Sequence, residues 1–159
     1  MSPKIPATPI WQQPATPEQF VEHHRETLPG LLGIVLVEIG ADFVRAEMPV
    51  DRRHIQPHGI LHGGGSVVLA ETVGSFCGAM AVAAGQTCVG VEISASHLAP
   101  VHDGDRVTAL CRPLRVGRSL QVWQIDIRRQ DGTLTCQCRL TTAARARHSE
   151  RVAAARETR

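Results

Sequence analysis

Apolar and polar positions follow two rhythms along this chain. In the first half, Val35, Val37 and Ile39 alternate with other residues, Gly40-Ala41-Asp42 turns the chain, and Val44, Ala46, Met48 and Val50 alternate with Arg45 and Glu47 between them. A period of two on both sides of a turn predicts a hairpin with one buried face. From Ser66 to about Ala84 the rhythm changes to an almost unbroken apolar run in which Glu71 is the only charged residue. His62 and Gly63-Gly64-Gly65 open that run and Gly85 is a suitable stop, so it predicts one long helix. Four strands follow: Val89 to Ala95, a segment containing Val107, Ala109 and Cys111, then Val122 to Ile127, then Leu134 to Leu140. Their turns are marked by His102-Asp103-Gly104-Asp105, by Val116-Gly117-Arg118-Ser119 and by the hairpin signal Gln130-Asp131-Gly132.

Ahead of the hairpin, Thr16-Pro17-Glu18-Gln19 has the residues of a helix start: a Thr cap, Pro at the first helical position and Gln at the third. Phe20, Val21, His24 and Leu28 give it a partial apolar face, and Pro29-Gly30 is expected to end it. His23 and His24 are adjacent, so on a helix they point to different sides, which suits a solvated face better than a metal pair. Residues 1–16 carry Pro3, Pro6, Pro9 and Pro14 without periodicity and are expected to form an irregular arm. Within it, Trp11 either packs on the domain or a neighbouring subunit, or belongs to a loosely held arm. Residues 51–61 form a polar loop leading to the glycines.

A helix apolar on nearly all sides must be wrapped, and an antiparallel sheet curling around it is the economical solution. The expected fold is therefore α+β, one domain over 17–145, with the arm before it and a basic tail over 146–159. A single curved sheet leaves edges exposed, so pairing between subunits is expected. The long apolar run approaches membrane-span length, but Glu71 inside it and the lack of a second such run favour a buried core helix and no membrane.

Composition narrows the function classes. A net charge of +2 and 3% aromatic residues with no tyrosine argue against nucleic acid as a partner. Five cysteines and no apolar leader in Met1–Gln13 lead us to expect reduced thiols and a cytoplasmic location. Cys136 and Cys138 share a strand face, but without two further ligands they read as buried thiols rather than zinc ligands. No triad spacing supports Cys77 as a nucleophile, and His54 and His58 read as solvated loop residues.

The chemistry concentrates at the long helix. Glycines at a helix start let a ligand approach unsatisfied N–H groups, where the dipole favours developing negative charge; simple close packing of the glycines is the alternative. No Gly-Lys-Ser/Thr follows, so this is not a P-loop. Glu71 lies eight residues after Gly63 and Ser75 four after Glu71, which suggests a donor, a carboxylate and a hydroxyl in line on one face. That carboxylate could attack an acyl carbon or deprotonate a water, with the helix-start N–H stabilising an oxyanion. A Glu paired with a basic residue at a subunit interface is the structural alternative.

The combination of Gln56-Pro57, His62-Gly63-Gly64, Leu69-Ala70-Glu71 and Ser75 resembles the hotdog-fold acyl-CoA thioesterases, of the 4-hydroxybenzoyl-CoA type with a catalytic glutamate on the central helix. The likeness runs from about Leu31 to Thr142 and includes Val91-Glu92-Ile93-Ser94-Ala95-Ser96-His97 and Gln121-Val122-Trp123-Gln124-Ile125. The resemblance implies Glu71 as nucleophile or general base, Gly63 as the backbone donor to the thioester oxygen, Gln56 and His62 as orienting groups and Ser75 as an aid to hydrolysis. It further implies His97 at the acyl or pantetheine end and Gly117, Arg118 and Ser119 as a coenzyme A contact loop, with Arg118 toward phosphate. Some relatives carry an arginine just after the position of His97; here Leu98-Ala99-Pro100 follows. The implied activity is hydrolysis of an acyl-CoA, the acyl group aromatic, with no metal and no cofactor beyond the coenzyme A of the substrate. The implied assembly is a homo-oligomer, a dimer at least and a tetramer by family habit, in which Gln56 and His62 meet a partner's Glu71. A non-hydrolytic acyl-CoA binder of the same fold is the competing function. A hydratase ranks below it, because its usual Asp/His pair is not evident.

Overall fold

The computed structural model describes residues 8–147. Its elements run α1 (Pro17–His24), α2 (Leu28–Leu31), β1 (Val35–Ile39), β2 (Val44–Pro49), α3 (Gly63–Ala81), β3 (Gln86–His97), β4 (Arg106–Val116), β5 (Leu120–Arg129) and β6 (Leu134–Ala146). The six strands form one sheet in the order β1-β2-β4-β5-β6-β3, every neighbouring pair antiparallel. The sheet wraps α3, as the alternation of the strands and the apolar helix predicted. Alternate strand residues such as Met48, Ala109, Ile125, Cys138 and Leu140 point inward and meet Leu69, Val73, Cys77 and Met80 of α3. Gly74 lets the helix approach: a Cβ there would strike the Leu140 side chain. The inward cysteines are free thiols, with Cys136 and Cys138 buried as expected.

Burial of α3 is one-sided. Leu69, Ala70, Val73, Gly74, Cys77 and Gly78 are covered, whereas Val68, Glu71, Thr72, Ser75, Phe76 and Ala79 are only half-buried. The helix is long and apolar enough to cross a membrane by length and composition, but its covered side is the core of this domain. It also ends earlier than the sequence suggested, at Ala81 rather than near Ala84. Val82 is already extended, and Gly85 (φ +80°) turns the chain into β3 instead of capping the helix.

The N-terminal arm explains the early end, because it takes over the carbonyls that a helix terminus leaves without partners. The Gln12 and Gln13 N–H groups both donate to the Met80 carbonyl at 2.8 Å. The Gln12 amide donates to Ala81 O (3.0 Å), and the Gln13 amide lies against Val82 O (3.1 Å) and Ala83 O (3.0 Å). Trp11 packs on its own domain: its indole N–H donates to Gly40 O at 2.7 Å, and its ring stacks on Trp123 with centroids 6.3 Å apart.

α1 begins with the capping box read from the sequence, Thr16 and Gln19 each satisfying the other's backbone N–H. Pro29-Gly30 does not end the helical segment as expected. After a break at Arg25–Thr27 the chain makes one more turn, α2, that contains both residues. Gly30 is needed there because a Cβ would run into the backbone carbonyls of His24 and Arg25.

β3 is an edge strand of 12 residues whose outer side has no strand partner among the described residues. It carries a bulge at Val91, where the register with β6 shifts between Gly90 and Glu92. Val89 and Val91 are exposed on it.

Candidate active site

Glu71 sits on the uncovered stripe of α3 and faces a cleft of about 650 Å³. The Ser75 hydroxyl, one turn on, donates to Glu71 Oε1 at 3.1 Å, the i, i+4 contact expected from the sequence. Opposite lies β3. A Cβ at Gly90 would collide with the Glu71 carboxylate, so only glycine allows that group to lie against the strand. Sequence reasoning missed Gly90; the signal was a lone glycine between Val89 and Val91, which marks a bulge or close approach. Bulges next to catalytic groups re-aim the chain locally.

Cys88 lies beside the same carboxylate. Its thiol donates to Ser75 O at 3.1 Å, and burial together with the Glu71 charge pushes its pKa up to about 11. A thiol held protonated at neutral pH is a poor nucleophile, so Cys88 is a poor candidate for that role in this cleft.

The residues upstream of the helix form a second cavity of about 370 Å³, lined by Gln56, Gly63, Ser66 and His97 among others. The glycines are tightly used. A Cβ at Gly63 would lie 2.8 Å from His97 Nε2, and one at Gly64 would lie 2.9 Å from His62 Nδ1. His62 is the N-cap of α3, its Nδ1 accepting from Gly64 N at 2.8 Å. Nε2–H is then the free donor of the neutral ring. Gly63 N–H has no protein acceptor among the described residues, as befits the first residue of a helix. An open N–H at a positive helix end is suited to an oxyanion.

The loop carrying Gln56 is anchored at its start. Asp51 accepts from the Arg53 N–H at 3.0 Å and pairs with the Arg53 guanidinium; those hydrogen bonds hold its carboxyl well below the usual carboxylate range. His54 is not solvated, which corrects the sequence expectation. It is 3% exposed, its Nε2 donates to Leu32 O at 2.9 Å and its Nδ1 lies 3.1 Å from Asp51. His58 remains exposed. Beyond these anchors at the start of the loop, Gln56 lines the cavity together with Gly63.

A second correction concerns Gly63 and Glu71, which were expected in line on one face. At about 100° per residue, eight residues overshoot two turns by about 80°, and the two positions are separated by about 12 Å along the axis. The structure accordingly places them in different cavities, Glu71 and Ser75 in one, Gln56, Gly63 and His97 in the other. The Gly117-Arg118-Ser119 turn joins β4 to β5 with Arg118 exposed and lines neither cavity. It is pinned by Gln121, whose buried amide donates to Gly117 O at 3.0 Å. Among the described residues, no group of three His, Cys, Asp or Glu side chains is arranged to hold a metal.

Comparison with known proteins shows the family and the fold. The family described as the Thioesterase superfamily matches residues 58–136. The chain is 45% identical over 134 residues to the 1,4-dihydroxy-2-naphthoyl-CoA hydrolase of Escherichia coli strain K12, covering 84% of this chain and 98% of that one. A crystal structure of a thioesterase from Haemophilus influenzae superposes with a TM-score of 0.83 at 43% identity, covering 89% of this chain and 99% of the other. A mutant thioesterase from Pseudomonas aeruginosa does so with a TM-score of 0.83 at 38% identity, over 87% and 99%.

Proposed function

Since the chain belongs to the thioesterase superfamily and is a thioester hydrolase, we propose that it cleaves aromatic acyl-CoA esters with Glu71 as the reacting carboxylate. The observation that carries this reading is the placement of the one charged residue of α3, hydrogen-bonded to Ser75 and let onto β3 by Gly90, in a cleft of about 650 Å³. That volume is in the range that takes a drug-sized acyl group. The likeness to a dihydroxynaphthoyl-CoA hydrolase supports the aromatic class.

In the proposed reaction the Glu71 carboxylate either attacks the thioester carbon or takes a proton from the water that does. The C–S bond breaks, the thiolate leaves and is protonated, and water supplies the oxygen of the free acid. Ser75 orients the carboxylate through its hydrogen bond. A Gly63 N–H donates to the carbonyl oxygen as it becomes an oxyanion, an effect typically worth about 10²–10³ in rate. Gln56 and His62 orient the thioester or the water, and His97 flanks the acyl or pantetheine end. Gly117, Arg118 and Ser119 contact coenzyme A.

Glu71 and Gly63 line separate cavities of one chain, so the reading requires a second copy. We place that copy on the free edge of β3, where exposed Val89 and Val91 flank Gly90. A partner's Gln56, His62 and Gly63 would then meet this chain's Glu71. A dimer is the minimal assembly, a tetramer of two such dimers the family form, and the cytoplasm the proposed location.

The test is thiol release over a panel of aryl and aliphatic acyl-CoAs. Turnover is expected with aryl esters ahead of aliphatic ones. Binding of CoA esters without product would instead establish the non-hydrolytic binder, and a preference for aliphatic esters would remove the aromatic assignment.

A further inference from the structure

α1 lies across the cleft that holds Glu71, and its two adjacent histidines behave differently. His23 is exposed. His24 is half-buried and turned from the solvated face its sequence position suggested; both rings line the cleft together with Glu71, Ser75 and Phe76. The His24 ring is fixed on two sides. Its Nδ1 lies 2.8 Å from the Phe20 carbonyl oxygen, and its plane stacks on the Phe20 ring with centroids 4.1 Å apart. Phe20 is itself 1% exposed and meets the edge of Phe76 at 5.2 Å.

The tautomer of His24 follows from that contact. A carbonyl oxygen only accepts, so Nδ1 carries the proton and the neutral ring keeps a bare lone pair on Nε2. No protein group donates to that nitrogen among the described residues. Among the other polar side chains of the wall, His23, Thr72, Thr87 and Arg147 make no side-chain hydrogen bond among the described residues, and none of them has a ring fixed as His24's is; Gln19 and Gln13 are already engaged. Gln19 Oε1 accepts from Thr16 N at 2.9 Å, and the Gln13 amide is spread over the carbonyls that close α3. The cleft thus combines an aromatic edge from Phe76, small or flexible apolar groups at Ala79 and Met80, and a rigid, unpartnered acceptor. A ligand without a donor leaves that acceptor unsatisfied on binding, which is costly in a desolvated site.

We propose that His24 is a specificity-determining residue of this chain: it accepts a hydrogen bond from a hydroxyl on the acyl group and so sets the selectivity for hydroxyaryl over unsubstituted aryl thioesters. The inference rests on the aromatic acyl-CoA reading above and adds the residue that reads the hydroxyl. His24 takes no part in the bond-breaking step. Its effect is confined to the acyl end of the substrate.

The test compares benzoyl-CoA with its 2-, 3- and 4-hydroxy isomers. His24→Phe keeps a ring to stack on Phe20 but removes the acceptor; His24→Gln restores an acceptor oxygen. For the best hydroxy isomer, the ratio of its kcat/KM to that of benzoyl-CoA is expected to fall tenfold or more in His24→Phe and to recover in part in His24→Gln. A ratio within twofold of the wild type in folded His24→Phe overturns the assignment. A second measurement needs no variant: the ¹⁵N resonance of His24 Nε2, followed while non-hydrolysable thioether analogues are added. A shift with the hydroxybenzoyl analogue that the benzoyl analogue does not cause supports the proposal, and equal responses overturn it. If the wild type hydrolyses aliphatic but no aryl thioesters, the aromatic reading itself fails. If it hydrolyses aryl thioesters with an unmoved ratio in the variant, His24 alone is misassigned.

Discussion

One side of α3 faces the sheet and the other faces a cleft, and the two sides use the same helical geometry to opposite ends. On the sheet side, Leu69 and Val73 are fully buried among inward strand residues, and Gly74 is trimmed to fit Leu140. Every group there has a partner, and its contribution is burial of apolar surface. On the cleft side, Glu71, Thr72 and Ser75 are half-buried, and the carboxylate accepts from Ser75 and lies beside Gly90 and Cys88. A side built for stability leaves nothing unpaired, whereas a side built for chemistry keeps a reactive group short of partners until the substrate arrives.

The contrast can be broken at either side. Glu71→Gln is expected to lower kcat by about 10²–10⁴-fold, the usual worth of a positioned acid–base group, with no loss of thermal stability. Parallel assay and calorimetry check this, and a drop in both would place Glu71 among the structural residues. Leu69→Ala is the mirror image. It should cost about 2–5 kcal/mol of stability, read as a lowered Tm, while the folded fraction keeps its kcat. Gly90→Ala sharpens the comparison at the boundary between the two sides. The added Cβ displaces the end of a flexible side chain, so the fold is kept and Glu71 is pushed from its position. A fall in kcat/KM of about tenfold to a hundredfold is expected from a shift on the order of 1 Å, with Tm within a few degrees of the parent.

What was legible in the sequence follows the same division. The strands and the long helix were readable because alternation and apolar runs are local properties, and Glu71 and Ser75 were readable because i, i+4 contacts lie within one element. Gly63 was expected to share a site with Glu71, but eight residues separate the two by about 12 Å along the helix axis as well as about 80° around it, and they line different cavities. His54 was read as solvated because its partners, Leu32 and Asp51, approach only once the loop has folded onto α2. The roles of Gly90 and Gln13 depend on contacts between distant segments, and no periodicity encodes those. For His24 the contact with Phe20 O is an i, i+4 pair within α1, and what the sequence could not show is that the fold turns that ring into the cleft beside Glu71 and Phe76.

The clasp between the arm and the end of α3 also bears on how the protein is made. During synthesis Trp11, Gln12 and Gln13 leave the ribosome first, yet Gln12 must wait for Ala81, 69 residues later, and Trp11 must wait for Trp123. Closing loops of that length is entropically slow compared with forming α1 or the β1–β2 hairpin. The arm therefore stays undocked at least until the end of α3 has been made, and its stacking on Trp123 waits until β5 is made.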